Sequence, residues 1–158
     1  MTFSHSTSRS NHQSAFTLIE ILLALIVVAI LSAIAIPSYR SSLARLKNNQ
    51  AIRDITQIET MIERYNTDNY QFPPDLAALG VPIPKDPWDH PYVYLNITAG
   101  APKGKIRRDR NLNPLNNDYD LYSMGADGVT TTQLTGAKAR DDIVRAGNGS
   151  FIGLASEH

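Results

Sequence analysis

The residues of this chain that could do chemistry are few, and most are spaced wrongly for it. Its four histidines, His5, His12, His90 and His158, are scattered, and none belongs to the H-E-x-x-H pair that seats a metal on one helix face. "GNGSFIG" places its third glycine one position too late for a dinucleotide fingerprint and lacks the strand-then-helix context. "GAPKGKI" is one residue short of a phosphate loop and lacks the hydroxyl that holds magnesium. No enzymatic constellation survives, so the chain reads as non-enzymatic. What remains is one acid in an unexpected place. Glu20 lies in "AFTLIEILLALIVVAILSAIAIP", Ala15 to Pro37, where every residue from Ile21 to Ile36 except Ser32 is apolar. A carboxylate at the centre of a membrane helix costs about 2.5–3.5 kcal/mol on insertion scales, so it requires a partner.

The element carrying Glu20 is predicted from length alone. As a helix, Phe16 to Ile36 spans about 31 Å against a hydrocarbon core of about 30 Å, which implies one membrane crossing. The mean hydropathy of −0.23 is that of a soluble protein, so the apolar content is concentrated in this run. Lys+Arg and Asp+Glu both total 15, a balance that favours neither a nucleic-acid binder nor a strongly acidic surface. Without cysteines, a body outside the cytoplasm has no disulfide to staple it, which leaves room for another constraint such as a metal. The polar segment before the run carries Arg9 as its only fixed side-chain charge, whereas Arg40, Arg45 and Lys47 follow the run. Taken alone, the positive-inside rule then puts the C-terminal body in the cytoplasm. "AIAIPS" imitates a signal-peptidase site, and both signal removal and a plain uncleaved anchor are open alternatives; the second leaves Glu20 unexplained.

Beyond the membrane segment the pattern becomes amphipathic. Ala51, Ile55, Ile58, Ile62 and Tyr65 recur at the spacing of one helical face, widened by Ile52 and Met61. Pro37 is expected to kink or locally open the helix, and Asn66 to Tyr70, followed by "FPPD", to stop it. Asp75 is placed to cap one short helix over Leu76 to Leu79. "YVYLN" and "DYDLYSM" read as strands, with a third around Lys105 to Arg108. Lys103, Lys105, Arg107, Arg108 and Arg110 form one basic cluster. Asp109 interrupts it and no aromatic is interleaved, which argues against nucleic acid and for a solvated hairpin or a contact with an acidic face of a neighbouring subunit. A long helix followed by strands gives an α+β fold, with a small antiparallel sheet packed on the helix.

"AFTLIEILLALIVVAILSAIAIPSY" resembles the N-terminal signature of the type IV pilin and pseudopilin superfamily. "DPWDHPYVY" at Asp86 to Tyr94 and "DLYSMGADG" at Asp120 to Gly128 are similar to the D-P-W-x-x-P-Y-x-Y and D-x-x-S-x-G-x-D-G segments of the major pseudopilins of type II secretion. The resemblance implies a pilin-like fold with a prepilin leader over 1–15, a transmembrane half-helix over 16–40, an amphipathic half over 41–66 and a globular body over 67–158. It also implies cleavage by a prepilin peptidase between Ala15 and Phe16 and N-methylation of Phe16; the residue before the cut is usually Gly in the family and is Ala15 here. Glu20 and Pro37 become assembly residues. The new amine at Phe16 of one subunit would be neutralised by Glu20 of its neighbour, so that the buried charges set the register between helices.

In that family the loop between the acidic elements binds calcium. Carried over, the resemblance makes Asp127, Asp141 and Asp142 side-chain ligands and the Met124 carbonyl a backbone donor, within a loop over 118–143. Calcium takes six to eight hard oxygens, and this chemistry suits it. The competing reading has Asp127 making a turn before Gly128 and Asp141 capping a short helix. Thirteen residues, Gly128 to Arg140, separate Asp127 from Asp141, more than the family usually has. The function implied is a structural subunit of a periplasmic helical pseudopilus. Its partners would be further copies of itself as a homopolymer, minor pseudopilins, the peptidase and an inner-membrane assembly platform, with the body in the periplasm. The alternatives are a type IV pilin of a surface filament and a membrane-anchored binding domain that never polymerises.

Overall fold

The computed structural model describes residues 17–158. The chain divides into two compact units, with the boundary between Ser41 and Ser42. In the first, the part of the helix α1 (Leu18–Asn69) up to Ser41 presents its apolar side chains on every side: Leu18 is 78% exposed, Ile26 55% and Ile34 69%. A helix hydrophobic all round finds its partners in lipid or in other helices. It is the one helix among the described residues long and apolar enough to cross a membrane. The α1 assignment runs through Pro37 and ends at Asn69, inside the window where the sequence stops it. Tyr70 then adopts a left-handed φ of 57° while its amide still bonds the Asn66 carbonyl at 2.8 Å.

The second unit joins the rest of α1 to a four-stranded antiparallel meander of β1 (Val93–Asn96), β2 (Tyr119–Ser123), β3 (Ile143–Ala146) and β4 (Phe151–Leu154), in that spatial order. The fold is α+β and pilin-like, as expected. Ala51, Ile55, Ile58 and Ile62 of the helical stripe are all buried, together with Tyr92, Tyr119, Leu121 and Ile143 from the sheet side. Each fully buried isoleucine contributes roughly 1.5–3 kcal/mol relative to an exposed one. Asp75 caps the turn Leu76–Leu79, its Oδ1 accepting the Ala78 amide at 3.0 Å, as the sequence predicts.

Side-chain alternation along the strands builds a second core on the far face, where Val144 and Ala146 of β3 meet Leu115, Leu134 and Ala155. The segment between β1 and β2 and the segment between β2 and β3 supply Leu115 and Leu134, so the meander is buried on both faces. The third strand expected around Lys105 to Arg108 does not form. That segment makes only an isolated parallel bridge, Arg108 to Gln133, because its partner is the long connection after β2 and not a strand of the sheet. The third and fourth strands come instead from "IVRA" and "FIGL".

Candidate functional site

Two groups of residues carry the functional expectations, and each is built by local rules. At the head of α1, Thr17 and Glu20 bond each other reciprocally. Glu20 Oε2 accepts the Thr17 amide at 3.2 Å and the Thr17 hydroxyl at 3.1 Å, and the Glu20 amide donates to Thr17 Oγ1 at 3.3 Å. This is a capping box, in which side chains at the first and fourth positions satisfy amides that have no helical acceptor. A carboxylate there also faces the positive end of the helix dipole. Glu20 therefore has a partner within its own chain, which the sequence reading had missed; the T-x-x-E spacing immediately before an apolar run was the signal that could have found it. Ala15 and Phe16, the expected processing residues, lie outside the described residues. Pro37 lies within α1, and its side chain is exposed.

Within the second unit, the two motif segments are tied together through Asp86. Its Oδ1 accepts the amides of Trp88 at 3.0 Å and His90 at 2.8 Å, and its Oδ2 accepts the Ser123 hydroxyl at 2.5 Å. Ser123 Oγ in turn accepts the Gly125 amide at 3.1 Å, and His90 Nδ1 lies 3.2 Å from the Gly125 carbonyl oxygen. Asp86 is 5% exposed and Ser123 fully buried, so the proline-rich loop and the end of β2 are fixed as one piece. The sequence assigned no role to Asp86, Ser123 or His90 beyond their place in the motifs.

Of the predicted calcium ligands, Asp127, Asp141 and Asp142 each have one carboxylate oxygen already engaged elsewhere. Asp141 Oδ2 accepts the amides of Ala126 at 2.9 Å and Asp127 at 3.1 Å, which closes the turn after Met124. Asp127 Oδ1 accepts the Val129 amide at 2.8 Å, the turn role of the competing reading. Asp142 is fully buried; its Oδ2 is ion-paired with Arg107 Nη2 and accepts the Thr130 hydroxyl at 2.5 Å. Among the described residues no three His, Asp or Glu side chains converge so as to hold a metal ion. The donor set here does not fit a bare divalent ion, chiefly because a guanidinium already holds Asp142. Asp141 does not cap a helix: the short helical turn nearby, Ala137–Ala139, has Gly136 at its N-cap.

Burial decides the titration of this end. It pushes the Asp142 carboxyl up, with Thr130 and Arg107 pulling it partly back. Burial pushes Asp120 up likewise, against hydrogen bonds from the Arg107 amide and the Asn116 side chain. The expectation that the basic cluster is a solvated hairpin fails at Arg107, which is 2% exposed and stacks over the Tyr122 ring, its guanidinium carbon 4.0 Å from the centroid. Lys103, Lys105, Arg108 and Arg110 are exposed.

Residues 10–36 match the prokaryotic N-terminal methylation motif. The chain is 33% identical over 137 residues to the type II secretion system core protein G of Pseudomonas aeruginosa, an alignment covering 73% of this chain and 85% of the relative. The chain belongs to the type II secretion core protein G family. Core protein G of Vibrio cholerae is 26% identical over 145 residues, covering 79% of this chain and 88% of that one. Core protein G of Escherichia coli K12 is 25% identical over 160 residues, covering 87% and 94%. No solved structure gives a significant match. Membership of the family covers the body as well as the N-terminal motif, since the alignments extend well beyond residues 10–36.

Proposed function

We propose that this chain is a structural subunit of a type II secretion pseudopilus, made as a precursor, cut between Ala15 and Phe16 by a prepilin peptidase and polymerised through its apolar helix. The observation that carries this reading is the joint presence of the methylation motif over 10–36 and family membership across the body. The geometry supplies the physics. An all-round apolar helix leaves the bilayer favourably only when other subunits' helices replace the lipid around it. A charge on each helix tolerates that transfer only when neighbouring copies stagger so that opposite charges meet.

Glu20 would serve two roles. Its Oε2 serves the Thr17 amide within the chain, and a carboxylate has two oxygens with which to accept further donors, such as the Phe16 amine of an adjoining copy. The chain would be held in the inner membrane by one crossing, with its body in the periplasm. Its partners would be other copies, minor pseudopilins, the peptidase and the assembly platform. The deciding experiment is complementation of a core protein G deletion in a type II-secreting bacterium. Wild-type chain should restore secretion and pseudopilus formation, Glu20→Ala should restore neither, and restoration of both by Glu20→Ala would overturn the reading.

A further inference from the structure

We infer that the Arg107 guanidinium is this chain's built-in cation, holding the Asp142 carboxylate and closing the carboxylate end of the body without a divalent metal. Arg107 and Asp142 are both buried, 2% and 0% exposed, and are ion-paired through Nη2 and Oδ2. The positions of both groups are fixed from several sides. The Arg107 amide donates to Asp120 Oδ2 at 2.8 Å, its carbonyl accepts the Leu115 amide at 2.8 Å, and its guanidinium lies over the Tyr122 ring. Thr130 reaches the same Asp142 oxygen from the opposite segment.

The length of the connection between Asp127 and Asp141 explains how the arginine arrives. Residues in this stretch pair with the arginine segment: the Arg108 amide bonds the Thr132 carbonyl at 2.9 Å, and the Leu134 amide bonds the Arg108 carbonyl at 3.0 Å. Leu134 enters the second core and locks that pairing. The residues that pair with Arg108 lie within the stretch that lengthens this connection, so the extra residues and the buried arginine belong to one arrangement. Asp142 Oδ1 is buried without a hydrogen-bond partner among the described residues, which a metal could in principle satisfy. However, Arg107 Nε and Nη1 are buried and unpartnered beside it, so a divalent ion would meet a fixed positive group at short range and in low dielectric.

The test uses the full chain in detergent micelles, melted while the fluorescence of Trp88, its single tryptophan, reports on the body. Midpoints in excess chelator and in millimolar calcium chloride should agree within about 2 °C, whereas a calcium-closed loop would gain more by mass action. Arg107→Met should lower the midpoint by roughly 10 °C relative to Arg108→Met, because it strands a buried carboxylate while the control alters an exposed neighbour. A larger calcium-dependent rise in the wild type overturns the inference, and so does an Arg107→Met variant as stable as Arg108→Met. If Arg107→Met does not fold, the wild-type comparison decides alone. None of these readouts depends on assembly or secretion.

Discussion

Arg145 Nε lies 2.7 Å from Glu59 Oε1, tying β3 to α1 across 86 positions of sequence. The same guanidinium forks onto Asp118, with Nη1 to Oδ1 at 2.8 Å and Nη2 to Oδ2 at 2.7 Å, and lies 4.0 Å above the centre of the Tyr119 ring. The Tyr119 hydroxyl donates to Glu63 Oε1 at 3.1 Å and the Tyr92 hydroxyl to Asp54 Oδ2 at 2.8 Å. The helix therefore meets the sheet through an isoleucine stripe flanked by three acids, each with a buried partner. Because Arg145 is 2% exposed and holds two acids, Arg145→Ala should cost about 3–5 kcal/mol, in denaturant unfolding followed by Trp88 fluorescence. Glu59→Ala should cost less, since Asp118 keeps the arginine paired. The double variant should show a coupling of about 1–2 kcal/mol; strict additivity would mean the pair contributes nothing.

Alkaline solution should unfold the body through its tyrosines. Burial is the first cause raising Tyr92, Tyr94, Tyr119 and Tyr122 above the ordinary phenol value of 10.0, reinforced at Tyr92 by the bond to Asp54 and opposed at Tyr119 by Arg145. A raised folded value means that stability is complete below pH 10 and falls as the unfolded phenols begin to ionise above it. Each such tyrosine removes about 1.4 kcal/mol per pH unit in that range. Phenolate absorbance and Trp88 fluorescence should therefore change together above pH 10 for the buried set. Smooth, non-cooperative ionisation of all seven tyrosines with fluorescence unchanged would contradict this.

Legibility in the sequence followed the range of the interactions. Asp75 and its capped turn, the stripe from Ala51 to Ile62, and the stop near Asn69 were readable because capping and periodicity act within a few residues. The β3–β4 hairpin was missed, although Asn148-Gly149 between two apolar stretches is a strong hairpin cue, with left-handed φ values of 56° and 88° in the structure. The sequence makes Arg107 a solvated cation because nothing within its own segment reveals Asp142, 35 positions away. Which of the carboxylates Asp127, Asp141 and Asp142 points inward depends on that distant arginine, which holds Asp142 alone.

Thr17 and Glu20 separate capping from assembly. Thr17→Val removes the hydroxyl that bonds Glu20 but keeps the carboxylate, and loss of an N-cap side chain costs about 1 kcal/mol. Pseudopilus yield should fall moderately in Thr17→Val and vanish in Glu20→Ala, scored by shearing or cross-linking of assembled filaments. Equal, modest losses in both would reduce Glu20 to a helix cap.

Orientation and processing are checked on the same strain. The cations Arg40, Arg45 and Lys47 favour a cytoplasmic body by charge counting, whereas the proposed pseudopilus subunit needs a periplasmic one. A periplasm-active reporter fused after Tyr65 should be active. Intact mass of the membrane-extracted chain should correspond to a start at Phe16 plus one methyl group. A silent reporter, or a chain that still starts at Met1, would remove the basis of the pseudopilin reading.

Gly125 should be the least replaceable glycine of the carboxylate end. Its φ is +65°, and a Cβ there would run into the backbone carbonyl and the carboxyl group of Asp141. Left-handed backbone alone costs a non-glycine residue about 1–2 kcal/mol, and the collision adds to it because the obstacle is main chain. The Asp141 backbone continues directly into Asp142, so a forced shift would also misplace the carboxylate that Arg107 holds. Gly125→Ala should therefore destabilise by about 3 kcal/mol or more in denaturant unfolding. Gly104→Ala is the internal control: nothing lies within 4 Å of its added Cβ, and the change should be neutral or stabilising by up to about 1 kcal/mol through the unfolded chain. If the two variants unfold at the same denaturant concentration, the turn from Met124 to Asp127 is not clamped against Asp141 as the geometry requires.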